Sequence, residues 1–184
     1  MCTSRILRAQ VLAAGLVLTA CTDTSSRIVV DPALEGMEAD AIGFGVTTNV
    51  TRDGVREFEV SADTMLTFRD STIVLFFGNV RLTAYNEDVG TAKAVVTSDR
   101  GRLERGSNEL WAEGNAVLII QADGRRIESY ELRYMPDTDE IRSDSASVMY
   151  DGDSIIEGTS FTSDLNFENV VIVNGRTRGG AVNY

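Results

Sequence analysis

Short apolar segments alternate with polar residues along most of the chain, and this pattern most limits what it can fold into. The segments run from residue 57 to residue 174 and are separated by residues that favour turns. Alternation with a period of two places one face of a strand against a core and the other face toward water. Many short strands at nearly regular spacing predict one all-β domain: a sandwich, a roll or a barrel.

Two stretches of the chain repeat the same plan. Residues 70–82 and 106–118 each contain a polar turn, an apolar strand, a Gly-Asn pair and a second strand. Glycine and asparagine both tolerate positive φ, so each pair suits a sharp turn or a bulge. Looser copies are found at 136–148 and 160–173. This repetition favours a structure built strand after strand. The alternative is the ordinary hairpin spacing of any β-sandwich.

The first twenty residues predict a lipoprotein signal peptide. Arg5 and Arg8 precede an apolar stretch, 11–18, which is too short to cross a bilayer comfortably. The sequence Leu-Thr-Ala-Cys that ends at Cys21 resembles the bacterial lipobox, whose cysteine is acylated and becomes the first residue of the mature chain. Several acyl chains on Cys21 would hold the protein on a membrane. The alternatives are a plain secretory peptide or a short transmembrane anchor.

The sequence predicts four regions along the chain. They are a signal peptide (1–20), a lipid-anchored flexible linker (21–40), the β domain (41–174) and a tail (175–184). The linker is polar and includes Asp31-Pro32, which breaks regular structure.

Composition argues against several classes of function. The formal net charge is −11, which opposes binding to nucleic-acid phosphates. Histidine is absent from the sequence, which removes Ser-His-Asp and Cys-His catalysis together with histidine metal sites. We therefore expect no enzyme, no catalytic residue, no metal and no cofactor. Paired carboxylates keep an enzyme open as an alternative, although the candidates lie in turn-like stretches where solvated acids are common: Asp137, Asp139, Glu140, Asp151 and Asp153.

Three stretches of the β domain resemble the LptC family, the periplasmic bridge proteins of lipopolysaccharide export, within the wider group of LptA- and OstA-like domains. The first is FEVSAD at 58–63 with the strand pair that follows it. The second runs from VTSDRGRL at 96–103 through LWAEGNAV at 110–117. The third is IIEGTSFTSDL at 155–165. The order and spacing of the three are more specific than any one of them.

The resemblance implies a fold and a ligand. The fold is a twisted, open β-jellyroll of consecutive antiparallel strands, and the ligand is lipopolysaccharide, with its lipid A acyl chains held between two sheets. Burial of the chains is physically reasonable, because apolar surface costs about 25 cal/mol per Å² in water. The matching positions that would face acyl chains are Phe68, Phe76, Leu82, Leu103, Leu118, Leu132, Tyr134, Val148 and Leu165. Each of them is equally compatible with an ordinary packed core.

The resemblance also implies partners at both ends of the sheet. Unpaired strand edges can add strands from neighbouring domains. The N-terminal edge would meet the inner-membrane lipopolysaccharide-export ABC transporter, and the C-terminal edge would meet an LptA-like periplasmic protein. The expected contact positions are Val46, Val50, Gly152, Gly158, Phe161, Phe167 and Val171.

The anchor departs from the best-known LptC proteins, which use a transmembrane helix. A lipid at Cys21 predicts a location on the periplasmic face of the inner membrane. Thr22 follows the cysteine where an aspartate would favour inner-membrane retention in enteric bacteria, so the outer membrane stays open. A structural or adhesive surface lipoprotein with a closed β core is the alternative function.

Overall fold

The chain forms one antiparallel sheet of twelve strands in a computed structural model that describes residues 38–86 and 90–179. All of these residues belong to a single compact unit, 31–184. The strands are β1 (Ala41–Arg52), β2 (Val55–Thr67), β3 (Ile73–Tyr85), β4 (Ala92–Glu104), β5 (Glu109–Ile120), β6 (Arg126–Met135), β7 (Glu140–Ser143), β8 (Ser147–Asp151), β9 (Ser154–Gly158), β10 (Ser160–Asp164), β11 (Val171–Val173) and β12 (Arg176–Gly179). This confirms the predicted all-β jellyroll class. No helix in the described ranges is long and apolar enough to cross a bilayer.

The first six strands are neighbours in chain order, and the sheet divides after β6. One half of β6, at 133–135, pairs with β7, and the other half, at 126–129, pairs with β8. From there one branch continues through β10 to β11, and the other continues through β9 to β12. Hairpin connections explain the order of β1–β6, since consecutive strands pair through short turns.

Several strands are longer than the sequence pattern predicts. The apolar segments 73–77 and 80–85 were expected as two strands, but both belong to β3, and β5 likewise joins two predicted strands. The Gly-Asn pairs are bulges within these strands and not turns between strands. Gly78 and Asn79 have φ values of 72° and 47°, and the register of β3 against β4 shifts there. A bulge bends a strand without ending it.

These bulges line up across the sheet. Register shifts occur at 61–64 in β2, 77–80 in β3, 97–100 in β4 and 113–116 in β5. We call this line the crease. It divides the sheet into a first arm (64–67, 73–77, 100–104, 109–113, 131–135, β7, β10 and β11) and a second arm (55–61, 80–85, 92–98, 116–120, 126–129, β8, β9 and β12).

The two arms fold onto each other at the crease. Phe58 of β2 and Tyr134 of β6 are four strands apart, so that the spacing between strands alone would separate them by about 19 Å in a flat sheet. Their ring centroids are nevertheless 4.7 Å apart. The inward side chains of both arms therefore form one shared core, which includes Val60, Phe76 and Ile127.

The ends of the chain add two observations on the predicted regions. The predicted tail, 175–184, contains β12, which pairs with β9 through Arg176–Glu157 and the three residue pairs that follow. The signal peptide, Cys21 and all but the last residues of the linker lie outside the described residues.

Candidate functional site

The interior between the arms is the candidate site. It contains a narrow apolar cavity of about 30 Å³. Both arms contribute to its wall, which is formed by Phe58, Leu82, Ala84, Ala94, Val96, Leu110, Ala112, Leu118, Leu132, Tyr134, Ile141, Leu165 and Phe167. A void of this size has room for roughly one water molecule.

The chemistry of this wall favours hydrocarbon. Every lining side chain is apolar except for the hydroxyl of Tyr134, and most of them are buried. Pockets that hold small molecules have volumes of roughly 300–1,000 Å³. The wall therefore suits an apolar ligand, but the interior is too narrow in this structure and would have to widen to admit one.

A polar network joins the two arms beside the cavity. The hydroxyl of Tyr134 donates to Glu57 Oε1 at 2.7 Å, and the Arg52 guanidinium donates to the same hydroxyl at 3.2 Å. Arg52 also pairs with Glu57 at 3.0 Å. Burial, followed by the hydrogen bond to Glu57, raises the pKa of Tyr134 well above its ordinary value. The network holds the β1–β2 end of the second arm against β6 of the first arm.

A bulge explains how an acidic residue reaches this position. Val50 pairs with Phe58 and Thr51 pairs with Arg56, so Glu57 is an extra residue in β2. Extra residues of this kind re-aim a side chain relative to the normal alternation. Glu57 and Phe58 are consequently both buried, at 6% and 5% exposure.

The segment 165–167, which we call the cover, forms part of the wall of the interior. It follows β10 of the first arm, and Leu165 and Phe167 both line the cavity. On the opposite side it borders the β5–β6 turn of the second arm, where Arg125 donates to the carbonyl of Phe167 at 2.9 Å. Phe167 has a φ of 58°, which is rare for a large side chain.

Two similar polar locks mark the outer side of the crease. Asn79 Nδ2 donates to Asp63 at 2.7 Å, and Asn115 Nδ2 donates to Asp99 at 2.8 Å; in each pair the partners are 16 residues apart. Each carboxylate also lies over the glycine of the bulge, Gly78 or Gly114, leaving no room for a Cβ atom there. The repeat in the sequence thus corresponds to a repeated Gly-Asn bulge, bound by an aspartate, at the line where the sheet bends.

The structure brings five of the nine predicted lipid-facing residues to the cavity wall. These are Leu82, Leu118, Leu132, Tyr134 and Leu165. Phe76 and Leu103 belong to the same buried core without lining the cavity. Phe68 follows the end of β2 and is only half-buried, and Val148 alternates with Met149, which is the β8 residue in the core. Whether any of them contacts lipid stays a prediction.

The predicted partner positions differ widely in exposure. Val171 is 55% exposed on β11, whereas Val50, Phe161 and Phe167 are buried in the core, so a partner there would meet backbone and not these side chains. Val46 is half-buried against the core. Gly152 lies in the open β8–β9 turn, and Gly158 is packed closely against Ile172.

Exposed apolar side chains occur on strands at both ends of the sheet. Ile42 and Phe44 on β1 are 54% and 51% exposed, and Val171 and Val173 on β11 are 55% and 46% exposed. In the described ranges β1 pairs only with β2, and β11 pairs only with β10, which leaves one side of each strand unpaired. Within the same ranges no group of three acidic or other metal-ligating residues is placed to hold a metal ion.

Sequence reasoning missed the network and part of the cavity wall. Phe58, Ala84, Ala94 and Ile141 have the alternation of inward residues, so the pattern contained a signal for them. Glu57 had no such signal, because a bulge shifts it out of the alternation. The repeated Asp ahead of each Gly-Asn pair was visible in VSAD and VTSD at 60–63 and 96–99.

Comparison with known proteins gives a family and a fold. The profile described as "LptC: Lipopolysaccharide-assembly, LptC-related" matches residues 11–178. No curated protein matches the chain. Among solved structures, the chain is similar to LptH of Pseudomonas aeruginosa, described as the LptA homologous periplasmic component of the conserved lipopolysaccharide transport device. The TM-score is 0.53 at 12% identity, and the alignment covers 68% of this chain and 95% of LptH.

Proposed function

The chain belongs to the LptC family and takes part in lipopolysaccharide transport, and we propose that it binds the acyl chains of lipid A between its two arms. The observation that carries this proposal is the shared apolar interior. Side chains from both arms face it, and only one hydroxyl interrupts the apolar wall. Acyl chains held there would be shielded from water, while the sugar and phosphate groups stay outside. No chemical step on the lipid is needed for this role.

The energetic reason for such a site is the cost of exposed hydrocarbon. Each methylene transferred out of water contributes about 0.8 kcal/mol. A lipid with several acyl chains therefore needs a continuous apolar surface in an aqueous compartment. A sheet that folds along a crease provides two such surfaces facing each other.

Binding can be tested by native mass spectrometry with purified lipopolysaccharide. We expect a one-to-one adduct with the unmodified protein. Ala112→Leu adds volume to the cavity wall and should weaken the adduct. The matched control is Ala62→Leu, which enlarges another buried alanine of the same core that does not line the cavity. Equal adducts in both variants, or none in the unmodified protein, would contradict the proposal.

We also propose that the two end strands, β1 and β11, pair with strands of neighbouring domains, so that the lipid can pass from one domain to the next. The N-terminal edge at β1 would meet the inner-membrane ABC transporter, and the C-terminal edge at β11 would meet an LptA-like partner. Exposed apolar residues on both strands, including Phe44 and Val171, support this arrangement. Backbone pairing supplies affinity in such contacts, and alternate side chains supply selectivity.

Site-specific photo-crosslinking can identify the partner at each edge. A photoreactive residue at Phe44 should capture the transporter, and one at Val171 should capture the LptA-like protein. Capture of the same partner from both positions would contradict the assigned polarity. A photoreactive residue at Tyr130, which is 61% exposed on β6, is the control.

The membrane anchor is a separate proposal. Cys21 would carry the lipid, and 21–40 would be the linker to the β domain on the periplasmic face. Metabolic labelling with a radioactive fatty acid should mark the protein, and Cys21→Ala should abolish the label. Labelling that survives Cys21→Ala would exclude this anchor, and fractionation of the labelled protein would show which membrane holds it.

A further inference from the structure

The wall of the interior is not uniform. Eleven of the thirteen lining residues lie on strands, and within the described part of the chain Leu165 and Phe167 are the two that do not. The strand residues are held by the continuous hydrogen-bonded register of the sheet. The cover is therefore the part of the wall that can move without breaking a strand pair.

Besides the burial of its two apolar side chains, the cover is held by a few polar contacts. Arg125 of the second arm donates to the Phe167 carbonyl at 2.9 Å, and Asp123 holds Arg125 at 2.6 Å. At the first arm, the Phe167 amide donates to the Asp164 carbonyl at 3.1 Å. The Asp164 carboxylate accepts from the Glu168 amide at 3.0 Å. Water or a polar headgroup can replace each of these bonds.

The backbone of the cover is also strained. A φ of 58° places Phe167 in the left-handed region, where large side chains are disfavoured. The gain that opposes this strain is burial of the ring, which is only 3% exposed. An acyl chain that took the place of the ring would offer apolar contacts to the same cavity wall without requiring the strained backbone.

From these observations we propose that the cover is an internal competitor of the acyl chain: Phe167 fills the opening between the arms, and lipid enters by displacing it. This inference rests on the proposed lipid binding and specifies how that binding is controlled. The Arg125 contact to the Phe167 carbonyl is the latch. In the empty protein the cover closes the interior to about 30 Å³, and in the loaded protein it lies outside the interior.

The latch provides a test that leaves the wall of the interior unaltered. Arg125→Gln removes the latch, and Arg125 does not line the cavity. Its control is Arg178→Gln, which removes an arginine–carboxylate pair of similar length, 2.9 Å, on β12. Phe167→Gly is a second variant, which removes the ring and also relieves the φ strain.

The experiment uses the full-length protein in phosphatidylcholine nanodiscs, titrated with purified lipopolysaccharide that carries a fluorophore on its sugar; nanodiscs without protein give the background. Circular dichroism verifies the fold of each variant. Arg125→Gln and Phe167→Gly should bind faster and more tightly, by about tenfold if the closed state dominates the empty protein, because the fraction of binding-competent protein sets the apparent affinity. Arg178→Gln should match the unmodified protein.

Hydrogen exchange gives an independent reading of the same proposal. On binding lipopolysaccharide, the Phe167 and Glu168 amides should lose protection, while amides of β10 keep theirs. If the unmodified protein binds lipid but the cover gains protection, or Arg125→Gln binds at the unmodified rate, the cover proposal is overturned and lipid binding stands. If no variant binds lipid, the proposed function fails and the cover proposal fails with it.

Discussion

The chain passes from one arm to the other in different ways in strands β2–β6 and in strands β7–β12. The first group consists of strands of 10–13 residues that run through the crease, and the second group consists of strands of 3–5 residues that stop at it. At the crease in the first group, aspartates of β2 and β4 bind the Gly-Asn bulges of β3 and β5. In the second group the chain leaves one arm and starts again in the other.

The junction between the groups contains a cluster of buried hydroxyls. Ser129, Ser143 and Ser147 are buried there, with Ser129 and Ser143 bonded at 2.7 Å between their hydroxyls. The hydroxyls lie where one side of β6 changes its partner from β7 to β8, while the other side stays paired with β5. Continuous strands thus form most of the wall of the interior, whereas the short strands are joined by irregular segments, such as the cover between β10 and β11.

The largest effects should come from removing a core aromatic ring in each group. Phe76→Ala in β3 and Phe161→Ala in β10 each remove a side chain that is 1% or less exposed. Each should lower the free energy of unfolding by about 3–5 kcal/mol, measured by urea denaturation.

Hydrogen exchange should distinguish the two regions. Phe76→Ala should reduce the protection of amides throughout the sheet, whereas Phe161→Ala should mainly expose β7–β12, since local opening follows the least connected elements. Equal loss of protection everywhere in both variants would remove the distinction between the regions.

The contribution of the Asp99 lock to stability can be tested with two glycines that have the same backbone conformation. Gly114 and Gly124 both have a φ of 75°, but a Cβ on Gly114 would lie 2.8 Å from the Asp99 carboxylate, whereas the space at Gly124 is open. Both alanine variants should lose about 1–2 kcal/mol for the left-handed backbone. Gly114→Ala should lose about 1 kcal/mol more, because the Asp99 hydrogen bond must move. Equal losses in thermal unfolding would show that the lock contributes nothing.

The network between the arms should have a smaller effect. Tyr134→Phe removes the hydroxyl that donates to buried Glu57, while Arg52 keeps its contact with that carboxylate. We expect a loss of about 1–2 kcal/mol by denaturant unfolding. Arg56→Gln, at an ion pair between half-exposed side chains on β2, is the control and should lose less than about 1 kcal/mol.

We also expect the ionisation of Tyr134 to make the stability of the protein depend on pH. Because burial and the bond to Glu57 raise the folded-state pKa of Tyr134, its contribution is present below the ordinary tyrosine pKa, about 10, and is lost as the pH rises above that value. The stability of Tyr134→Phe should therefore decline less steeply above pH 10. Parallel curves for the two proteins would contradict this assignment.

The smallest effect on stability should come from the exposed edge. Val171→Ser on β11 removes a side chain that is 55% exposed, and surface changes of this kind usually stay within about 0.5 kcal/mol. Capture of the LptA-like partner should nevertheless weaken. A large loss of stability would mean that β11 belongs to the core instead of a docking edge.

The sequence predicts the arms better than the crease. Strict alternation identifies inward residues such as Leu82, Leu118 and Leu132, because period two holds within each arm. A bulge changes the phase, so residues beyond it, or inside it as Glu57 is, cannot be assigned by counting. In β8 the predicted position Val148 is half-buried, and its neighbour Met149 belongs to the core.

The family resemblance predicted Leu165 as a lipid-facing position, but nothing in the sequence indicated that Phe167 lines the same cavity. Phe167 lies in an irregular segment, and Arg125, which donates to its carbonyl, is 42 residues away in sequence. The repeated bulges, in contrast, have a local signal: the two Gly-Asn pairs and the two preceding aspartates. Long-range polar contacts leave no periodic pattern in the sequence, whereas the repeated bulges do.

Binding of acyl chains between the arms can be tested directly with two neighbouring residues of β5. Leu118 is 1% exposed and lines the cavity, whereas Ile119 is 40% exposed on the opposite face. A photoreactive phenylalanine analogue is placed at each position, and the protein is irradiated with purified lipopolysaccharide. We expect a lipid adduct from position 118 and little or none from position 119. An adduct from 119 alone, or equal adducts from both, would place the lipid outside the interior and contradict the account.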